Sequence, residues 1–204
     1  MTTTPKRNVA VLTFLTLDGV MQAPAQPDED TSGGFERGGW AAPYWDKVMA
    51  QVWEEAMSKP YDLLLGRKTY EAFAAHFPGA DNDNPTVRRL NEARKHVVTN
   101  TLTSAAWNDT LIVSGDIPAA ITGLKAQDGP LLQVHGSWQL IQTLLAQDLI
   151  DEFRLWTFPV IVGAGKRLFE NASVRPSLSL VKSRATSNGV ILAVYRRRSS
   201  SQQR

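Results

Sequence analysis

The chain has 204 residues, of which 43% are hydrophobic, which is enough for one domain with a real core. It contains no cysteine, which excludes disulfide bonds and cysteine-based zinc sites, and its three histidines lack the paired spacing of a metal site. The formal net charge is only +2, and no stretch has the apolar length of a signal peptide or a membrane span. We therefore expect a cytoplasmic protein without a metal.

Apolar runs and helix signals alternate along the chain. We expect strands at 8–15, 61–65, 96–100, 110–114, 131–135 and 151–159, helices at 43–57, from 67, at 85–95, at 117–126 and after 137, and a terminal hairpin of 178–185 and 190–196. Such alternation predicts an α/β fold with a mostly parallel sheet, helices on both faces and antiparallel strands at one edge.

Two segments fall outside this pattern. The polar passage 22–39 is long for a loop of a compact domain, and an active-site lid is one use for such a passage. The chain ends in R-R-R-S-S-S-Q-Q-R, which could contact nucleic acid but is more often a solvated terminus. We expect one domain over 1–198 and a disordered basic tail over 199–204, with no nucleic-acid motif beside it.

The stretch Y-D-L-L-L-G-R-K-T-Y-E-A-F at 61–73 predicts an anion site. A buried strand ends at Gly66, and a helix then begins with Arg67, Lys68 and Thr69. Free backbone N–H groups and the positive end of the helix dipole would point to the same place as the two cations. One interpretation is a phosphate cradle for a nucleotide. The other is an ordinary turn between a strand and a helix with solvated basic residues.

Two more predicted strand ends carry suitable residues, namely Thr99-Asn100 and Gly136-Ser137. In an open α/β sheet, ligands bind outside the carboxyl ends of the strands, so three such corners could hold one dinucleotide at several points. The fingerprint G-x-G-x-x-G does not follow a strand, and Gly163-Ala164-Gly165 lacks the third glycine. The chain is therefore not expected to be a standard Rossmann dehydrogenase.

Six segments in order carry a resemblance to a known family: L-T-L-D-G-V-M, G-G-W-A-A-P-Y, D-L-L-L-G-R-K-T-Y-E, V-V-T-N, L-Q-V-H-G-S and L-I-D-E-F-R-L-W-T-F-P-V-I-V-G-A-G-K-R-L-F. Over about residues 7–197 the chain resembles the dihydrofolate-reductase-like superfamily. The closest resemblance is to the reductase domain at the C-terminus of bifunctional riboflavin-biosynthesis deaminase/reductases and to its stand-alone bacterial relatives.

This resemblance implies a three-layer α/β/α fold with a mostly parallel mixed sheet, a homodimer, and an NADPH-dependent reductase of a small pyrimidine-like or pterin-like heterocycle. Gly136-Ser137 corresponds to a pair of small residues that the family often joins by a cis peptide. Carried over by position, the residues that would bind the cofactor are Phe14, Met21, Gly66, Arg67, Lys68, Thr69, Thr99, Asn100, Gly136, Ser137, Trp138, Gln139 and Leu140.

Reduction of a C=N bond also needs a proton, from a carboxylic acid or through ordered water. Asp46, near the Trp-x-x-Pro pattern at 40–43, and Asp18, at the end of the first strand, are the candidate acids. Each also has a structural interpretation, as a helix-end carboxylate and as an Asx-type turn. On the substrate side, the resemblance implies Trp40, Tyr44, Gly163, Gly165 and Lys166. A nucleotide-binding protein without turnover, and a nucleic-acid binder that uses the basic tail, remain as alternatives.

Overall fold

A computed structural model describes residues 6–170 and 176–198, so the predicted tail at 199–204 lies outside the described residues. The strands are β1 (Val9–Thr16), β2 (Tyr61–Gly66), β3 (Lys95–Val98), β4 (Thr110–Val113), β5 (Leu131–His135), β6 (Glu152–Phe158), β7 (Leu178–Ala185) and β8 (Ile191–Arg197). The α-helices are α1 (Lys47–Ala56), α2 (Arg67–His76), α3 (Pro85–Glu92), α4 (Ile117–Ala126) and α5 (Trp138–Ala146).

One sheet holds all eight of these strands, in the order β4-β3-β2-β5-β1-β6-β8-β7. The pairs from β4 across to β6 are parallel, whereas β8 runs antiparallel to both β6 and β7. The predicted mixed sheet with a C-terminal antiparallel hairpin is therefore confirmed. Because strands β1 to β6 run in one direction, their carboxyl ends share one edge of the sheet.

Helices cover both faces of the sheet, as the alternation predicted. Buried residues of α1, α2 and α3, such as Met49, Tyr70 and Leu90, pack into one hydrophobic cluster with Leu63 of β2. Buried residues of α4 and α5 pack into a second cluster on the other face, where the next residue of β2, Leu64, points. This alternation along a buried strand gives the three layers their two cores.

Two helix boundaries differ from the sequence-based expectation. The helix expected from Pro43 is broken: a short 3-10 turn covers Ala42–Tyr44, and α1 begins only after Asp46, whose side chain accepts a hydrogen bond from the Met49 N–H. The helix expected to end at Lys95 ends at Glu92 instead. Lys95 already pairs with Leu63 in the sheet, so strand pairing overrides the helical pattern.

The arginines before the tail belong to the sheet. Arg196, the last residue of the expected strand 190–196, donates to Glu152 at 2.6 Å, and Arg197 donates to Asp148 at 2.6 Å. Each of the two arginines therefore has a carboxylate partner within the fold, and Glu152 also accepts from Arg154 at 2.6 Å. Among the described residues, no helix has the length and apolar character needed to cross a membrane.

Candidate functional site

Three corners that the sequence singled out lie on the same edge of the sheet. Strands β3, β2 and β5 are neighbours and parallel, and each corner follows the carboxyl end of one of them. Residues 66–69, 99–100 and 136–137 therefore line one continuous stretch of this edge. This is the place where open α/β sheets bind ligands.

Two of the corners are joined directly by hydrogen bonds. The Ser137 N–H donates to Thr69 Oγ1 at 3.0 Å, and the Gly66 N–H donates to Ser137 Oγ at 2.9 Å. Gly136 and Ser137 both adopt left-handed backbone angles, with φ of 49° and 52°. No peptide bond among the described residues is cis, so the cis link that the family often has between these two residues is absent here. A Cβ at Gly136 would lie 3.2 Å from Thr69 Oγ1, so glycine permits this close approach.

The helices that begin at these two corners lack side-chain caps. Helices α1, α3 and α4 are capped by Asp46, Asn84 and Asp116, each of which accepts backbone N–H donors of its helix. In the described structure, α2 and α5 follow Gly66 and Ser137, and neither of these two N-cap residues offers a side-chain hydrogen bond to the first N–H groups of its helix. Two helix N-termini with donors left for another acceptor therefore lie side by side.

The charged residues at the start of α2 are accessible. Lys68 is exposed, whereas the Arg67 guanidinium donates to both carboxylate oxygens of Glu71 at 2.9 Å. Glu71 was missed at the sequence level, although the i, i+4 spacing of Arg67 and Glu71 is visible there. Of the two cations at this corner, Arg67 therefore already has a carboxylate partner.

The third corner uses its side chains to shape the backbone. Thr99 Oγ1 accepts hydrogen bonds from the N–H groups of Thr101 and Leu102, both at 3.1 Å. Asn100 is exposed, and its Oδ1 accepts from the Gly115 N–H at 3.3 Å. These bonds fix the turn after β3 beside the start of α4.

The remaining predicted cofactor residues are only partly brought together. Phe14 packs with the cluster under α1, whereas Met21 is buried in the cluster on the other face of the sheet. In α5, the Trp138 indole N–H donates to the Arg167 carbonyl at 2.9 Å, Gln139 is exposed, and Leu140 is buried in the core.

An aromatic cluster lies next to this edge on the α1 face. The Phe14 ring contacts those of Trp45, Trp53, Trp156 and Phe158, with centroid distances between 5.2 and 6.0 Å. The predicted substrate-side residues Trp40 and Tyr44 both stack edge-on against Phe158. Trp45 keeps 45% of its surface exposed, so the cluster reaches solvent beside the carboxyl ends of β1 and β6.

Asp18 organises the loop after β6. Its carboxylate accepts from the Thr16 hydroxyl at 2.6 Å and from the N–H groups of Val162 and Gly163 at 3.3 and 2.8 Å. The Thr16 bond is the main cause that lowers the pKa of Asp18 to about 2; desolvation opposes it, and the bonds from the Gly163 and Val162 N–H groups add to the lowering. The group is thus a charged anchor at neutral pH.

Asp46 caps α1. It accepts from the Met49 N–H at 2.7 Å and from the Ser187 hydroxyl at 3.0 Å, and the Met49 bond is the main cause that lowers its pKa. Like Asp18, it carries no proton at neutral pH. The prediction that either carboxyl donates a proton in catalysis stays a prediction. In the fold, Asp46 caps α1 and Asp18 holds the loop after β6.

The passage 22–39 is tied to the loop that contains Gly163, Gly165 and Lys166. Lys166 donates to Asp30 Oδ2 at 2.5 Å and to Ser32 Oγ at 2.7 Å, partners that sequence reasoning missed because they lie more than a hundred residues away. Gly165 has a φ of 117°, and a Cβ there would lie 2.8 Å from Val20 Cγ1. The two loops therefore form one packed wall beside the predicted substrate side of the edge, rather than a loose lid.

A cavity of about 780 Å³ lies at the opposite, amino edge of the sheet. Its walls include the buried ion pair of Arg7 and Asp62, together with His96 and Leu111. It contains none of the predicted site residues. We place the candidate site at the carboxyl edge because the uncapped helices, the cations and the exposed aromatic ring converge there.

The strand order and the site at this edge define a fold of the dihydrofolate-reductase-like class. In agreement, the model of the family described as the RibD C-terminal domain matches residues 7–192. The chain belongs to this family, and the resemblance inferred from the ordered motifs is confirmed. Family and fold together support a reductase-type function.

Similar proteins span most of the chain. YyaP, an uncharacterized protein of Bacillus subtilis, is 30% identical over 137 residues, which are 65% of this chain and 72% of YyaP. A candidate riboflavin biosynthesis protein from Shewanella sp. PV-4 superposes with a TM-score of 0.65 at 22% identity, covering 95% of this chain and 99% of that one.

Two further solved structures share the fold. A pyrimidine reductase-like protein from Corynebacterium diphtheriae has a TM-score of 0.64 at 12% identity, with coverage of 98% and 95%. Dihydrofolate reductase from Enterococcus faecalis, in complex with NADP(H) and a second ligand, has a TM-score of 0.61 at 12% identity, with coverage of 95% and 98%. At such low identity these likenesses show the fold.

Proposed function

We propose that this protein is an NADPH-dependent reductase of a small heterocyclic substrate. The observation that carries the proposal is the pair of uncapped helices that begin at Arg67 and Trp138, directly after two corners joined by two hydrogen bonds at the carboxyl edge. Their free N–H groups and dipoles suit the phosphates of a dinucleotide, and Arg67 and Lys68 add charge for its 2′-phosphate. The NADP(H) held by the dihydrofolate reductase of the same fold supports this choice of cofactor.

The substrate would lie beside the aromatic cluster. The exposed ring of Trp45 and the half-buried ring of Phe14 offer flat apolar surface where β1 ends, next to the proposed cofactor site. A planar heterocycle, pyrimidine-like or pterin-like, suits such a surface because aromatic rings stack well at these distances. The pyrimidine reductase-like protein of the same fold supports the first of the two classes.

In this mechanism the protein positions the cofactor and the substrate against one another, and the bound cofactor would supply the hydride. The cross-linked corners at Thr69 and Ser137 would fix the nucleotide. The loop after β6, which Asp18 holds through the Gly163 N–H, would close the substrate side. Because Asp18 and Asp46 both have lowered pKa values, ordered water at the open edge is the better proton source for the product.

A second candidate function is nucleotide binding without turnover. The specific observation that favours it is that both carboxyl groups near the substrate side serve as hydrogen-bond acceptors within the fold. A protein that kept the cofactor cleft and lost its chemistry would show this arrangement.

The test is a titration of the purified chain with NADPH and with NADH, followed by tryptophan fluorescence, since the chain has six tryptophans. A screen of oxidised pyrimidine and pterin compounds then follows NADPH consumption at the nicotinamide absorbance band. Saturable NADPH binding with turnover supports the reductase, and binding with no turnover on either class supports the second candidate. Absence of NADPH binding would refute both.

A further inference from the structure

We propose that Glu71 sets the preference between NADPH and NADH by competing with the 2′-phosphate for Arg67. This inference rests on the proposed nucleotide site. A single nitrogen of the Arg67 guanidinium, Nη1, donates to both Glu71 oxygens at 2.9 Å. A phosphate that takes the planar fork of the guanidinium in a bidentate way would have to share or displace this Nη1 contact, so carboxylate and phosphate compete for one group.

The geometry makes this exchange feasible. The side chains of Arg67 and Glu71 are 40% and 45% exposed, so the pair lies at the surface where water can replace either partner. An ion pair with this exposure is weak, and an arriving phosphate can displace it. Glu71 also adds a negative charge one helical turn from the proposed phosphate position, which repels NADPH more than NADH because only NADPH carries the 2′-phosphate.

Glu71 is therefore a positioning residue that restrains cofactor selectivity. Without the 2′-phosphate, Arg67 stays with Glu71, and NADH binds through the helix N-termini alone. With NADPH, Arg67 releases the Glu71 carboxylate and binds the 2′-phosphate, so the Arg67–Glu71 ion pair is lost. Removal of the Glu71 charge should then benefit NADPH selectively.

The test is a double-mutant cycle of Glu71→Gln and Arg67→Ala, with dissociation constants for NADPH and NADH at constant ionic strength. We expect Glu71→Gln to tighten NADPH about threefold to fivefold and to leave NADH within about twofold. In the Arg67→Ala background the same change should lose most of its effect on NADPH, because the competition acts through Arg67.

Glu55→Gln is the matched control. Glu55 also forms a surface ion pair, with Arg184 at 2.8 Å, and the two side chains are 43% and 35% exposed, but the pair lies at the end of α1 away from this corner. The Glu55→Gln substitution changes the net charge by the same amount as Glu71→Gln, and it should leave the affinities for NADPH and NADH unchanged. Equal tightening of both nucleotides by Glu71→Gln, weaker NADPH binding, or the same gain from Glu55→Gln would overturn the inference while the proposed function stands. A wild-type chain that does not bind NADPH overturns both.

Discussion

At the scale of single residues, the two candidate acids show how a fold can use a carboxylate for structure. Asp18 is expected from sequence alone as either a turn residue or a proton donor, and its three hydrogen bonds give it the structural role. The distant partners Val162 and Gly163 could not be read from sequence. The sequence names the residue type, and only the folded chain shows what the carboxylate binds.

The lowered pKa of Asp18 predicts a stability change at acid pH. The folded pKa is about 2, against an ordinary value of 3.8 for an aspartate, so the stabilisation is present above about pH 4 and is lost as pH falls through the folded pKa. We expect Asp18→Asn to lower the free energy of unfolding by about 1–2 kcal/mol near neutral pH. The difference between the variant and the wild type should shrink toward about pH 2 in urea unfolding. A difference that stays constant with pH would contradict the assignment.

The role of Asp46 can be separated by two substitutions. Asparagine is an equally good helix cap, whereas alanine is not, so Asp46→Asn should keep the free energy of unfolding of the wild type and Asp46→Ala should lower it. Denaturant unfolding followed by circular dichroism measures both. If Asp46 acts only as a cap, turnover in the asparagine variant stays at the wild-type level. A rate loss in a variant of normal stability would instead assign Asp46 to catalysis.

At the scale of elements, local patterns predicted most strands and helices, and the misses have clear physical causes. Helix α4 and strands β5 and β7 have the expected bounds, because their caps and turns are local signals. The end of α3 was misplaced because Lys95 is fully buried in β3, and a buried lysine is rarely expected in a strand. The three-corner edge was predictable because parallel strands share their carboxyl ends, but the cross-links between corners depend on side-chain geometry.

Those cross-links predict that α2 and α5 stabilise one another and the nucleotide site together. Thr69→Val removes the acceptor of the Ser137 N–H, and Ser137→Ala removes the acceptor of the Gly66 N–H. Each should cost about 1–2 kcal/mol of unfolding free energy and weaken NADPH binding, since a half-buried donor is left without its partner. Thr143→Val is the control, because the Thr143 hydroxyl donates only to the Gln139 carbonyl within α5. The prediction is wrong if Thr143→Val has the same effect on nucleotide affinity.

At the scale of the whole molecule, polar groups are distributed unequally between the two edges of the sheet. The carboxyl edge leaves helix N–H groups and the side chains of Lys68 and Asn100 open to solvent. The amino edge buries charge instead: the side chains of Arg7 and Asp62 are 4% and 12% exposed and form an ion pair. A buried pair contributes little net stability but is costly to break, so this edge fixes the fold while the other remains free for ligands.

The burial of Lys95 makes the free energy of unfolding depend on pH in the alkaline range. Its Nζ lies 4.3 Å from the Trp107 ring centroid and donates to the Asn91 carbonyl, and burial lowers the pKa of Lys95 to about 8 from the ordinary lysine value of 10.5. Between these values the unfolded chain holds the proton and the folded chain does not, so stability rises with pH. We expect the unfolding free energy of the wild type to rise by about 1–2 kcal/mol from about pH 7 to about pH 9.5, relative to Lys95→Met. Parallel pH profiles of the two proteins in urea unfolding would show that Lys95 keeps its ordinary affinity for the proton in the folded chain.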